Sequence, residues 1–142
     1  MKRASMKYLL IVILLLTACF NLDGTLTVIN AWSRPALKGE NGAIYFVIEN
    51  GTNLNEKLLN VNTNIAEDAQ VHMTMVNDQS VMTMEMQEFV EISSGSEINF
   101  KPGGLHVMLA NLYQDLQVGD TFIINLQFED AGQINIEVTV KE

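Results

Sequence analysis

A side-chain period of two, repeated from about residue 25 to the C-terminus, limits this chain more than any other feature. In the segment Gln133 to Val140, Ile134, Ile136, Val138 and Val140 fall on one side. Gln133, Asn135, Glu137 and Thr139 fall on the other. Successive strand side chains point to opposite faces, so this is the pattern of a half-buried β-strand. Thr121 to Phe128 repeats it, with Phe122, Ile124, Leu126 and Phe128 on one side. Asp130-Ala131-Gly132 supplies a hairpin loop between the two. Further strands are expected at Leu26–Trp32, Ala43–Glu49, Lys57–Asn62, Ala69–Val76, Val81–Met86, Glu97–Phe100 and Leu105–Leu109. Asn50-Gly51 and Pro102-Gly103-Gly104 mark turns among them. Many short strands and little helical periodicity predict an all-β fold, a sandwich or Greek-key barrel.

The first 18 residues do not share this pattern. Lys2, Arg3 and Lys7 precede an apolar run from Tyr8 to Leu16, and Leu16-Thr17-Ala18-Cys19 follows. The run is shorter than the roughly 20 residues that span a bilayer. It reads as a signal peptide, residues 1–18. The four residues ending at Cys19, the only cysteine, resemble a bacterial lipobox. Lipidation at Cys19 would anchor the protein outside the cytoplasm, in the periplasm or on the outer cell surface, without a spanning helix. Residues 19–24 then form the lipidated N-terminus and a short tether, and 25–142 one domain. Beyond residue 18 only Arg34, Lys38, Lys57, Lys101 and Lys141 are basic, against 17 acidic residues, a formal charge of −12. Nucleic acid is an unsuitable partner for such a surface, because phosphates need basic side chains to neutralise them.

Chemistry concentrates in one stretch. Six methionines (Met73, Met75, Met82, Met84, Met86 and Met108) and both histidines, His72 and His106, lie between positions 72 and 108. On Ala69–Val76, His72 and Thr74 share a face while Val71, Met73 and Met75 share the other. A three-residue loop at Asn77-Asp78-Gln79 pairs Val76 with Ser80, Thr74 with Met82 and His72 with Met84. Directly opposed side chains have Cβ atoms about 4.5–5.5 Å apart, which aims His72 and Met84 at one point. A two-residue loop would oppose His72 to Thr83 instead. In His106-Val107-Met108, positions i and i+2 face one way, so His106 and Met108 form a second pair of donors. Placed side by side, the two elements bring His72, Met84, His106 and Met108 together. Met73, Met75, Met82 and Met86 are auxiliary metal candidates. Thioethers favour Cu(I) and imidazole suits both copper oxidation states. Zinc recruits thiolate, imidazole or carboxylate, and calcium and magnesium want oxygen.

The spacing His72-Met73, ten residues, Met84, twenty-one residues, His106-Val107-Met108 resembles the metal motif of the periplasmic copper chaperones written PCu(A)C. Lys101-Pro102-Gly103-Gly104-Leu105-His106-Val107-Met108-Leu109, Ala31-Trp32-Ser33-Arg34-Pro35 and Ala43-Ile44-Tyr45-Phe46 are similar to stretches of that family. The resemblance runs from about residue 25 to the end. It implies a cupredoxin-like β-sandwich with an exposed copper site, binding Cu(I) and in some members Cu(II). It also implies delivery of copper to the binuclear centre of cytochrome c oxidase. By position, His72, Met84, His106 and Met108 take the ligand roles. Many members have one residue fewer between the first histidine and the methionine. The three-residue loop absorbs the extra one; without it, Met82 becomes the rival ligand.

Two other roles fit the same residues. One is copper sequestration or tolerance; the other is a metal-free adhesion or assembly module with an apolar methionine patch. No catalytic residue is expected. The cysteine thiolate of a blue-copper site is missing, as are G-x-S-x-G, C-x-x-C and phosphate-loop motifs.

Overall fold

The computed structural model describes residues 24–142. The signal peptide of residues 1–18, Cys19 and all but the last residue of the tether lie outside the described residues. The described chain contains ten strands and no helix. They are β1 (Leu26–Ser33), β2 (Gly42–Asn50), β3 (Glu56–Thr63), β4 (Ala66–Val76), β5 (Met82–Met86), β6 (Val90–Ile92), β7 (Glu97–Phe100), β8 (Leu105–Leu112), β9 (Thr121–Phe128) and β10 (Gln133–Val140).

Hydrogen bonding links them in the order β5-β4-β8-β2-β1-β10-β9-β3-β6, with β7 on β2. β3 and β4 pack against each other although five strands separate them along that path. The sheet therefore folds back on itself around one core. Ile44, Phe46 and Ile48 from β2, Val107 and Leu109 from β8, and Ile124, Leu126 and Phe128 from β9 fill it, each almost fully buried. Phe46 and Phe100 stack at 4.3 Å between ring centroids.

The β9–β10 alternation is as expected. Ile134 opposes Leu126, Ile136 opposes Ile124 and Val138 opposes Phe122. Two features of the fold are not visible as alternation. β6 is only three residues long and pairs with β3. β1 carries a bulge: Val28 pairs with Ile48 before it and Trp32 with Tyr45 after it. Asn30 supplies the left-handed conformation there, at φ 56°. One extra residue reverses inside and outside, so Trp32 shares the outer face with Tyr45.

β7 and β8 follow one another along the same edge of β2. Phe100 pairs with Phe46, and Val107 with Ile44. Lys101 to Gly104 form the excursion between them, closed by Gly104 N–H donating to the Lys101 carbonyl and by Gly103 at φ 79°.

Polar side chains hold the far end of the sandwich. Asn50 is buried; its Nδ2 donates to the Leu54 and Ile92 carbonyls and its Oδ1 accepts from Thr52. Asn50-Gly51-Thr52 is thus a structural turn with its amide enclosed. Glu56 is also buried and accepts from the Asp130 and Ala131 N–H groups at 3.0 and 2.7 Å. Burial pushes its carboxyl pKa up, but backbone donors from Asp130, Lys57, Ala131 and Glu129 outweigh burial and hold it below the ordinary value. Hydrogen bonds to a charged group are worth about 1.5–3 kcal/mol each. Glu56→Ala should therefore lower stability in urea by about 2 kcal/mol or more at pH 7. A lowered carboxyl pKa stabilises above the unfolded value and is lost as pH falls through the folded one. The gap between wild type and variant should close in acid.

Candidate metal centre

Seven consecutive-to-alternate pairs join β4 to β8, and one sets His72 opposite His106. Their rings lie 6.0 Å apart between centroids, tilted by 44°. Both stand on the outer face, because Val71 and Val107, their neighbours in sequence and in register, point into the core. Tyr45 packs beside His106 at 6.5 Å, and Trp32 beside Tyr45 at 4.7 Å. A row of rings therefore crosses four strands and supports His106, which is only 5% exposed.

Each imidazole has one nitrogen committed and one left over. His106 Nδ1 lies 3.1 Å from the Gly104 carbonyl. That oxygen can only accept, so Nδ1 carries the proton and Nε2 keeps its lone pair. The same carbonyl accepts from Thr74 N–H, which pins the excursion to β4. His72 Nε2 lies 3.2 Å from Gln70 Oε1. Gln70 in turn donates its Nε2 to Asp68 at 2.7 Å, which fixes the amide with its oxygen toward the histidine. His72 Nδ1 is then the unprotonated nitrogen, and it is buried with no hydrogen-bond partner. Buried polar atoms normally have partners; an orphaned lone pair is what a metal ligand looks like without its metal. Asp68 and Gln70 orient the His72 ring from behind, in the manner of outer partners of metal-binding histidines. Their positions, two and four residues before His72 on one strand face, were the available signal, and the motif spacing did not point to them.

The hairpin that brings the methionines differs from expectation. β4 and β5 pair Val76 with Met82, Thr74 with Met84 and His72 with Met86. The loop is Asp78-Gln79-Ser80, one position later than Asn77-Asp78-Gln79. Asn77 causes the shift: its N–H donates to the Val81 carbonyl, and its side-chain Oδ1 accepts from Gln79 and Val81. Ser80 takes the left-handed position at φ 60°, the turn plus left-handed residue common in three-residue hairpins. Slipping by two in total keeps side chains on the same faces. Met84 thus opposes Thr74, and lies diagonal to His72.

Met84, His106 and Met108 line one open cleft of about 400 Å³ with Arg34, Ala43 and Tyr45. His72 does not line it; its ring lies 6.0 Å from that of His106, which does. Met86, although opposite His72 on the backbone, lines a neighbouring depression with Asp68 and Gln70. Met82 shares the outer face nearer the hairpin tip. Met73 and Met75 stand on the other face of β4, paired with Glu85 and Thr83. Arg34, exposed and part of the stretch similar to the family, belongs to the cleft. Among the described residues no three His, Cys, Asp or Glu side chains converge. The chemistry offered here is therefore two neutral imidazole lone pairs and thioether sulfur, a soft set with little affinity for hard cations.

Burial lowers the pKa of His72, the charge of His106 lowers it further, and Asp68 opposes them. The neutral ring stabilises the fold above the unfolded value of about 6.5, and that contribution is lost as pH falls through the folded value. A titration of the metal-free protein followed by imidazole proton resonances should place the His72 midpoint below 6.5. A midpoint at or above 6.5 would contradict the buried setting of this ring.

A family model described as "Putative lipoprotein LpqE-like" matches residues 26–140. A Rickettsia prowazekii protein, described as uncharacterized protein RP573, is 33% identical over 117 residues, covering 79% of this chain and 64% of that protein. The chain thus spans less than two thirds of this relative's length. Among solved structures, the apo PCuAC domain from PmoF1 is similar with a TM-score of 0.69 and 27% identity, covering 83% of this chain and 94% of that one. The solution structure of CuI-DR1885 from Deinococcus radiodurans gives 0.63 and 26%, covering 84% and 81%. The copper-bound PCuAC domain from PmoF2, at 0.69 and 24% with 83% and 93% covered, shares the fold. The fold is all-β and cupredoxin-like, as the motif resemblance implied.

Proposed function

The chain belongs to the LpqE-like family, and from that premise we propose that it is an extracytoplasmic copper carrier. One observation carries the reading: the buried, partnerless Nδ1 of His72 beside His106, which lines a cleft with Met84 and Met108. The similarity to PCuAC domains, among them CuI-DR1885, supports it.

His72, Met84, His106 and Met108 are the proposed ligands, holding one copper ion as cargo. Cu(I) is favoured because thioethers are soft neutral donors, while the imidazoles would also tolerate Cu(II). Met86 and Met82 stand on the ligand face as auxiliaries. Met73 and Met75 would need the other face of β4. Nothing about this set calls for catalysis. Met84 is 59% exposed while His106 is 5% exposed, so the site has a fixed floor and an open wall. An incoming donor can replace the exposed thioether first and the histidines later, which is how a carrier releases a tightly held ion. The proposed recipient is a membrane cuproenzyme, such as the binuclear copper centre of cytochrome c oxidase or its assembly factor.

Competition against a coloured Cu(I) chelator should give one ion per chain. His106→Ala with Met108→Ala should weaken it by at least about 100-fold, since even outer-sphere partners cost 10- to 100-fold. Unchanged binding by the double variant would refute the ligand assignment. The lipobox reading of residues 16–19 makes Cys19 the anchor. Cys19→Ser should move the protein from the membrane to the soluble extracytoplasmic fraction; retention on membranes would count against lipidation there.

A further inference from the structure

β5 ends the strand path, and among the described residues nothing pairs with its outer edge. All five of its residues are exposed. Antiparallel pairs alternate between hydrogen-bonded and non-hydrogen-bonded. Asn77 with Val81 and Val71 with Gln87 are hydrogen-bonded, at 3.0 and 2.8 Å. The pairs Val76–Met82, Thr74–Met84 and His72–Met86 are therefore of the other kind. The main-chain N–H and C=O groups of Met82, Met84 and Met86 point away from β4, toward the open edge. The same three residues put their thioethers on the face of His72, each more than half exposed.

Proteins usually blunt such an edge with lysine, proline or a bulge. This one has none of them. Instead the stretch from Leu58 to Phe100 contains no lysine or arginine and seven acidic residues, with Glu85 in the strand and Asp78 and Glu88 flanking it. Two copies of this edge would bring like charge against like charge. A basic strand would meet opposite charge and six unused backbone hydrogen-bonding groups.

We propose that the open edge of β5 docks an extended, basic segment of the copper-exchanging partner as an added strand, laying it along the methionines of the copper site. That the partner exchanges copper rests on the carrier reading; the docking itself does not. Strand addition sets the partner's side chains in register with Met82, Met84 and Met86, so a donor on the partner reaches the cleft at a fixed position.

The test uses the metal-free, 15N-labelled protein and a blocked synthetic hexapeptide of alternating threonine and valine with lysine at each end. The amide signals of Met82, Met84 and Met86 should shift and their hydrogen exchange should slow. The same peptide ending in glutamates should leave them unmoved. Met82→Leu keeps the edge amide and should change binding by no more than about twofold. Met82→Pro removes an edge donor without costing a bond to β4 and should weaken binding about tenfold. Absent shifts, shifts located elsewhere, equal binding of the acidic peptide, or equal binding by Met82→Pro would each overturn the proposal. So would edge shifts that grow with protein concentration alone, which would assign the edge to a second copy. A protein that docks the peptide but fails the Cu(I) competition keeps this edge and loses the carrier reading. One that binds Cu(I) and ignores the peptide loses only the edge.

Discussion

The pairing of β4 with β8 is the contact on which the candidate centre depends. It runs from Ala66–Leu112 to Met73–Leu105 without a bulge, and it is fixed from below by Val71, Ala69, Val107 and Leu109 in the core. A slip of one residue would bury His72 and His106 and expose four apolar side chains. The hydrophobic pattern of the inner face therefore decides which polar groups meet on the outer one. Packing selects the register, and the register places the two imidazoles 6.0 Å apart.

Around that fixed pair the supports differ in stiffness. His106 is backed by Tyr45 and Trp32 and held by the Gly104 carbonyl. His72 is held by a chain of two polar side chains, Gln70 and Asp68, both on its own strand. Met84 has no such backing and sits on an edge strand. The candidate donors thus grade from rigid to adaptable across three adjacent strands, an arrangement that suits the proposed carrier: a fixed seat with one side open.

Much of this was legible in the sequence because strand alternation is regular in β9, β10 and β8. Parity carried the face assignments: His72, Met84, His106 and Met108 lie on one side, as i and i+2 reasoning requires. What parity cannot give is register. The loop chemistry of Asn77 and Ser80 moved Met84 from opposite His72 to opposite Thr74, a displacement invisible to side-chain period because it is a multiple of two. The bulge at Asn30 hid Trp32 in a different way, by reversing faces within a single strand. β6 escaped notice because Val90-Glu91-Ile92 is too short to display a period. Gln70 lies outside the metal-donor vocabulary, and Arg34 stands in the sequence only within a family-like stretch; the fold sets one to align an imidazole and the other to line the cleft.

The break between β7 and β8 has an evolutionary consequence. Because β2 grips the chain both before and after Lys101 to Gly104, the placement of His106 does not depend on how many residues that excursion contains. Insertions or deletions ahead of Gly104 would be absorbed at the rim, provided the Gly104 carbonyl still reaches the imidazole. What the stretch cannot lose is that carbonyl, which meets the His106 ring and, through Thr74 N–H, ties the excursion to β4.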